Sequence, residues 1–127
     1  MLPGALNSLY TKIFLRDRTL FILAGITALV HGLIWFLLFL GFDTLYSPDR
    51  EYITLHYNSV FGADFVARWF TIFLIPLCGL VLVGINMFIG YRVYNINKHL
   101  TYTCALTALV VNILLLTALQ LLLRANS

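Results

Sequence analysis

Residues 19–42 read TLFILAGITALVHGLIWFLLFLGF, a run without a single Asp, Glu, Lys or Arg. A membrane-spanning helix needs about 20 predominantly apolar residues. At 1.5 Å per residue this stretch reaches roughly 35 Å, enough to cross a bilayer with some tilt. It is longer than the apolar region of a cleaved signal peptide and no A-x-A-like site follows it, so we predict an uncleaved membrane helix.

Two further runs, residues 69–91 and 100–123, also lack charged residues. The chain is 61% hydrophobic and 10% charged, whereas soluble domains carry about 25% charged residues. We therefore predict an all-α integral membrane protein with three transmembrane helices in a single membrane domain, residues 1–127. Ala24, Ala28 and Gly32 on the first helix are small residues four apart, as in interhelical contacts. Similar stripes are Gly79, Val83, Asn86 and Gly90 on the second helix, and Thr101, Ala105, Ala108 and Asn112 on the third.

Between the spans lie an outer loop, residues 43–68, an inner loop, residues 92–99, and a tail, residues 124–127. Residues 1–18 place apolar side chains at helical spacing, which predicts a short amphipathic helix on the inner membrane face. The alternative is that this segment continues the first helix. Pro76 removes one backbone hydrogen bond and predicts a kink near Ile72.

The basic residues predict the orientation. Five of the eight basic residues lie in the N-terminal segment or in residues 92–99, which share one side of the membrane. The other three lie on the opposite side. By the positive-inside rule, we expect a cytoplasmic N-terminus and an extracytoplasmic C-terminus in the cell membrane. No basic cluster with interleaved aromatic residues points to nucleic acid. Cys78 and Cys104 lie at different depths, so neither a disulfide nor a metal site is expected, and no cofactor is predicted.

His31, Asn86 and Asn112 are polar residues inside the predicted spans, where they are costly and mark candidate sites. His31 and Asn112 both fall about twelve residues from the cytoplasmic face, so they can meet at one depth near the midplane. No second histidine stands at that depth to complete a haem site. We favour interhelical hydrogen bonding; the alternative is a pathway for a ligand, ion or proton.

The outer loop is long for a connection and rich in aromatic residues, which predicts an ordered structure. Residues 52–58 alternate apolar and polar side chains, as a short extended segment does. Asp64 is placed to cap a second helix that begins near Phe65 and to pair with Arg68 one turn later. His56 and Asp64 could also form an acid/base pair or contribute metal ligands, although two ligands do not fix a metal. The candidate interaction residues are His56, Tyr57, Asn58, Phe61, Gly62 and Asp64.

The chain resembles a family of small uncharacterised bacterial membrane proteins with three helices. The likeness covers most of the chain, and its most specific part is the loop pattern LHYN-x2-FG-x-D. No established activity comes with the resemblance, which implies the three-helix architecture and no catalytic role. The motifs that carry it are Phe14-x-Arg16-Asp17-Arg18, Trp35, residues 55–64, Pro76-x-x-Gly79 and Asn86.

Three functional hypotheses follow. The first is a non-enzymatic membrane subunit or adaptor of an envelope complex, which would bind a protein partner, or a second copy, through the outer loop and helix faces. The second is an oligomeric transport or channel component with a pathway near His31, Asn86 and Asn112. The third is a membrane enzyme that uses His56 and Asp64.

Overall fold

Three long helices form the body of the protein. The computed structural model describes residues 13–46, 51–58, 60 and 62–127. Helix α1 is Arg18–Leu40, a short helix α2 follows at Phe42–Leu45, and helices α3 and α4 are Leu74–Val93 and Lys98–Asn126. The segments Arg18–Leu40, Trp69–Val93 and Lys98–Asn126 are each long and apolar enough to cross a membrane. The three predicted helices are thus present.

Helix α4 is the centre of the bundle because it packs along both α1 and α3, which touch each other much less. Its predicted small-residue stripe is confirmed: Thr101, Ala105, Ala108 and Asn112 are all buried. On α3, Gly79 and Gly90 are buried against α4. The Thr101 hydroxyl donates to the carbonyl oxygen of Gly90 at 2.9 Å, which only a close approach of the two backbones permits.

The predicted contact stripe on α1 is wrong in part. Ala28 and Gly32 are exposed, and no atom lies within 4 Å of a Cβ built at Gly32. The buried residues of α1 are instead Leu20, Thr27, Ile34 and Leu38. Ile34 and Leu38 pack into the cluster of buried side chains at one end of the bundle, and this packing fixes the rotation of the helix and leaves the small residues to one side.

Residues 52–58 and 62–68, within the predicted loop 43–68, form a β-hairpin, so the all-α prediction is incomplete. Strand β1 is Tyr52–Asn58 and strand β2 is Gly62–Arg68, and they pair antiparallel. The extended segment predicted for residues 52–58 is confirmed. A helix beginning near Phe65 is wrong, because Phe65 lies in β2 and a 3₁₀ helix starts only at Trp69. Asp64 therefore cannot cap that helix.

The hairpin closes one end of the bundle, here called the hairpin end. Ile53 projects from β1 into the core and is 1% exposed. It joins a cluster of buried apolar side chains drawn from four other elements, so the hairpin and the helices share one core. The other members of the cluster are Ile34, Leu38, Leu45, Ile72 and Leu119.

Several helix ends differ from the predicted bounds. α4 continues past residue 123 to Asn126 because its last turn contacts the hairpin. Pro76 lies in the first turn of α3, where a missing N–H costs no intrahelical bond, so the expected kink is instead a change from 3₁₀ to α-helix.

Residues 1–12, which carry most of the predicted amphipathic helix, lie outside the described residues. Residues 13–15 are helical, but the helix is interrupted at Asp17. The segment before α1 is therefore not a direct continuation of α1.

Candidate functional site

The hairpin is fixed to the bundle by the side chain of Asn126, near the end of α4. The backbone N–H of Thr54 donates to Asn126 Oδ1 at 2.9 Å, and Asn126 Nδ2 donates to the carbonyl oxygen of Thr54 at 2.8 Å. The amide thus pairs with β1 as a neighbouring strand would. Together with the buried Ile53, these bonds hold the hairpin in one position on the bundle.

The pairing pattern shows which backbone groups face the open edge of β2. Residues opposite one another in an antiparallel pair alternate between bonding each other and pointing away. Thr54 is opposite Val66 and bonds outward to Asn126, so the N–H and C=O of Val66 also point outward, away from β1. The Trp69 N–H to Glu51 C=O bond of 3.3 Å continues the same alternation and assigns Arg68 to the outward set. Among the described residues the sheet has two strands, so no strand covers this edge of β2.

Two apolar side chains and one charged pair are exposed around this edge. Phe65 is 57% exposed and Val66 51% exposed. Arg68 and Glu51 form a surface ion pair, with Nε and Oε1 3.5 Å apart. The predicted pairing of Arg68 with Asp64 loses its basis, because residues four apart in a strand are roughly 13 Å apart rather than one helical turn apart.

The candidate loop residues are distributed over both strands. His56 is an exposed residue of β1 opposite Phe65. Tyr57 pairs with Ala63, and Asn58 pairs with Gly62, the first residue of β2. Phe61 lies outside the described residues, as do the side chains of Tyr57, Asn58 and Asp64. An acid/base pair or a metal site formed by His56 and Asp64 therefore stays a prediction. Among the described residues, no three His, Cys, Asp or Glu side chains lie close enough together to hold a metal ion.

A second polar group lies inside the bundle. His31 Nδ1 and Asn112 Oδ1 are 2.9 Å apart, which confirms that the two residues meet at one depth. Trp35 Nε1 donates to His31 Nε2 at 3.2 Å, and Asn112 Nδ2 donates to the carbonyl oxygen of Ala108 at 2.8 Å. An indole N–H can only donate, so Nε2 accepts and the proton of the neutral imidazole is on Nδ1.

The chain of bonds satisfies every polar side-chain atom in it. Asn112 is fully buried, and no buried side-chain nitrogen or oxygen of the described residues lacks a partner. Gly79 of α3 completes the site: a Cβ there would be 3.2 Å from Asn112 Oδ1 and 3.4 Å from His31 Cε1. His31, Gly79 and Asn112 thus bring all three long helices together at one level.

Asn86 does not belong to this group, because its side chain donates to the carbonyl oxygen of Leu82 in its own helix at 2.9 Å. Trp35 was not predicted to take part. Its spacing of four residues from His31 was the available signal, since such residues are neighbours on a helix surface. The arrangement links helices by hydrogen bonds, with the imidazole engaged on both nitrogens.

Asp17 forms a third polar site at the opposite end of the bundle, here called the tyrosine end. One carboxylate oxygen caps α1 by accepting the N–H groups of Thr19 and Leu20 at 3.0 and 3.2 Å. The other oxygen accepts the hydroxyl protons of Tyr94 and Tyr102, each at 2.9 Å. A single side chain therefore ties the start of α1 to the end of α3 and the start of α4. An acidic residue directly before a long apolar run was the sequence signal for the cap.

These contacts shift the pKa values of Asp17 and Tyr94. Burial alone would raise the pKa of Asp17, but the bonds from Tyr102, Tyr94 and the two backbone N–H groups outweigh it and hold the pKa below its usual value. Burial, the hydrogen bond to Asp17 and its negative charge raise the pKa of Tyr94 to about 12. The ionised carboxylate and the neutral phenol are thus the forms that the fold favours.

We expect the bundle to lose stability in acid through Asp17. A lowered folded-state pKa gives stability that is present above the unfolded-state value of about 3.9 and lost as the pH falls through the folded-state pKa. Thermal unfolding in detergent should show a smaller loss between about pH 5 and pH 3 for Asp17→Asn than for the unmodified protein. Asp43→Asn, which removes the same charge at an exposed position, is the control against which the slope of Asp17→Asn is compared. Equal slopes for Asp17→Asn and the unmodified protein would refute this role.

No family model, curated protein or solved structure matches this chain.

Proposed function

We propose that this protein is a non-enzymatic membrane subunit or adaptor of an envelope complex, whose hairpin binds a protein partner. One observation carries the proposal: the second strand of a hairpin anchored to a membrane bundle presents an open edge with exposed apolar side chains. The exposed helix faces offer further contact area within the membrane.

Open strand edges are templates for pairing, and proteins usually cover them or protect them with charges and bulges. The edge of β2 at Val66 has an outward N–H and C=O next to exposed apolar side chains. In strand addition a partner supplies the missing strand: the main-chain bonds give affinity and the side chains give specificity. Anchoring by Ile53 and Asn126 favours such binding, because little conformational entropy remains to be lost.

Val66→Pro tests this proposal with little disturbance of the hairpin. The Val66 N–H points away from β1, so proline removes one outward donor and no bond between the strands, as edge strands tolerate. After gentle extraction from native membranes, we expect a co-purifying protein to be lost, with binding at least tenfold weaker. Val66→Thr keeps the N–H and the β-branched shape, and it should retain the partner.

If Val66→Pro retained the same partner as Val66→Thr, binding through this edge would be wrong. Thermal unfolding of the purified variants must be similar, so that loss of binding is not loss of fold. Absence of any co-purifying protein from the unmodified chain would also count against the adaptor role.

The transport alternative has less support. A pathway needs polar groups available to a passing ligand, whereas His31 is engaged on both nitrogens and Asn86 bonds to its own helix. A stable monomer in detergent would weigh further against it, since three helices are too few to enclose a path.

We further propose that the tyrosine end faces the cytoplasm and the hairpin end faces outward, on the basis of the positive-inside rule. In a chain with Cys78 and Cys104 replaced by alanine, Thr44→Cys should react with a membrane-impermeant reagent in intact cells. Asn95→Cys should react only after lysis. The reverse pattern would overturn the orientation.

A further inference from the structure

An apolar groove runs along the bundle between α1 and α3. Because these helices make few contacts with each other, a cavity of about 350 Å³ lies between them, with α4 as its floor. Among the residues that line it are Ala24, Ala28, Gly32, Val83, Met87 and Ala108. The small residues of α1, which do not pack on another helix, form one wall.

The groove continues towards the tyrosine end. A second cavity of about 90 Å³ is also lined by Ala24 and Met87 and extends to Leu20 and Leu15. From Leu20 to Gly32 the helix rises about 18 Å, close to the roughly 15 Å of one leaflet's hydrocarbon. The groove therefore extends from the membrane surface to the midplane. Its last lining residues on α1 are His31 and Gly32.

The larger part of the groove extends from Ala24 to Gly32, about 12 Å of helix rise. Its lining is apolar apart from Thr27 and His31, so it suits a hydrocarbon occupant. Exposed basic residues at its open end favour the acyl chain of an anionic lipid over a second helix.

The charges at the open end select a headgroup. Arg16 and Arg18 are exposed beside Leu15, which lines the lower cavity. Asp17, the acidic residue between them, is turned to the backbone of α1 and to Tyr94 and Tyr102. The two guanidinium groups are thus available to an anion at the membrane surface, where basic residues attract anionic lipids.

We propose that the groove binds an anionic phospholipid from the leaflet at the tyrosine end. One acyl chain lies between α1 and α3 and ends near Gly32, and the phosphate lies at Arg16 and Arg18. This site is independent of the hairpin and of its partner.

Native mass spectrometry of the full chain in detergent, titrated with phosphatidylglycerol or phosphatidylcholine, tests the proposal. Gly32→Leu puts a side chain into the groove and should weaken phosphatidylglycerol binding about tenfold. Ile26→Phe is the control: it enlarges an exposed residue of the same helix, on the side away from the groove. It should bind within about twofold of the unmodified protein.

Replacing Arg16 and Arg18 with glutamine should remove the preference for phosphatidylglycerol, at about fivefold per arginine. Equal binding by Gly32→Leu and Ile26→Phe, or no preference for the anionic lipid in the unmodified chain, would overturn the proposal. So would a dimer that Gly32→Leu converts to a monomer, because the occupant would then be a second copy. Ala28→Leu, at an exposed groove position, repeats the test if Gly32→Leu does not fold.

Discussion

Gly79→Leu is expected to destabilise the helix bundle by about 3 kcal/mol, at the upper end of the cost of overpacking. A Cβ at this position would already be 3.0 Å from Leu115 Cδ1 and 3.2 Å from Asn112 Oδ1. The rest of a leucine side chain would force α3 away from α1 and α4 and separate His31 from Asn112. The cost combines lost packing with a broken interhelical hydrogen bond.

Gly84→Leu is the matched control, because it makes the same change in the same helix where no atom lies within 4 Å of a built Cβ. Unfolding in mixed micelles of increasing dodecyl sulfate content would measure both variants. The difference between them removes the effect of leucine on helix propensity. Similar free energies of unfolding would show that the three helices do not meet closely at Gly79.

Ile53→Ala is expected to release the hairpin from the bundle, at a cost of about 3 kcal/mol. Ile53 is the residue of β1 that is buried among Ile34, Leu38 and Leu119. Removing three of its carbons leaves a cavity in the core shared by hairpin and helices. Asn126 and the partly buried Leu55 would then hold the hairpin, and the population of the detached state should rise on the order of 100-fold.

Hydrogen exchange of the backbone amides in residues 52–58 and 62–68 would measure this release. Val66→Ala, a truncation at an exposed position of the same hairpin, should alter stability by less than about 0.5 kcal/mol. Unchanged exchange in Ile53→Ala would mean that the hairpin is held elsewhere, and the rigid edge that supports partner binding would lose its basis.

The helices were predictable because a bilayer demands long apolar runs, and residues 19–42 meet that demand by composition alone. The meeting of His31 and Asn112 was predictable for a related reason. Both helices rise by the same distance per residue, so counting from one membrane face gives depth. Depth does not give rotation, which is why the small face of α1 was assigned to a helix contact.

The second strand was missed because its identity depends on a partner distant in sequence. Residues 62–68 precede an apolar run, and Asp64 resembles a helix cap when read locally. The backbone pairs with β1 instead, and pairing of that kind leaves only a weak local signal. Asn126 was missed likewise, since a polar residue near the end of a helix does not reveal the strand it will bond.

The polar contacts at the tyrosine end show the same limit. Asp17 has the local pattern of a cap, but the approach of Tyr94 and Tyr102 depends on how three helices are rotated about their axes. Sequence alone could not place the two tyrosines around one carboxylate.

The most direct test of the adaptor role is a photo-reactive amino acid placed at Val66 and irradiated in native membranes. The same residue at Ile96, which is 85% exposed at the opposite end of the bundle, is the control. We predict one discrete protein adduct from position 66 and not from position 96. No protein adduct at position 66, or the same set of adducts from both positions, would contradict binding through the hairpin edge.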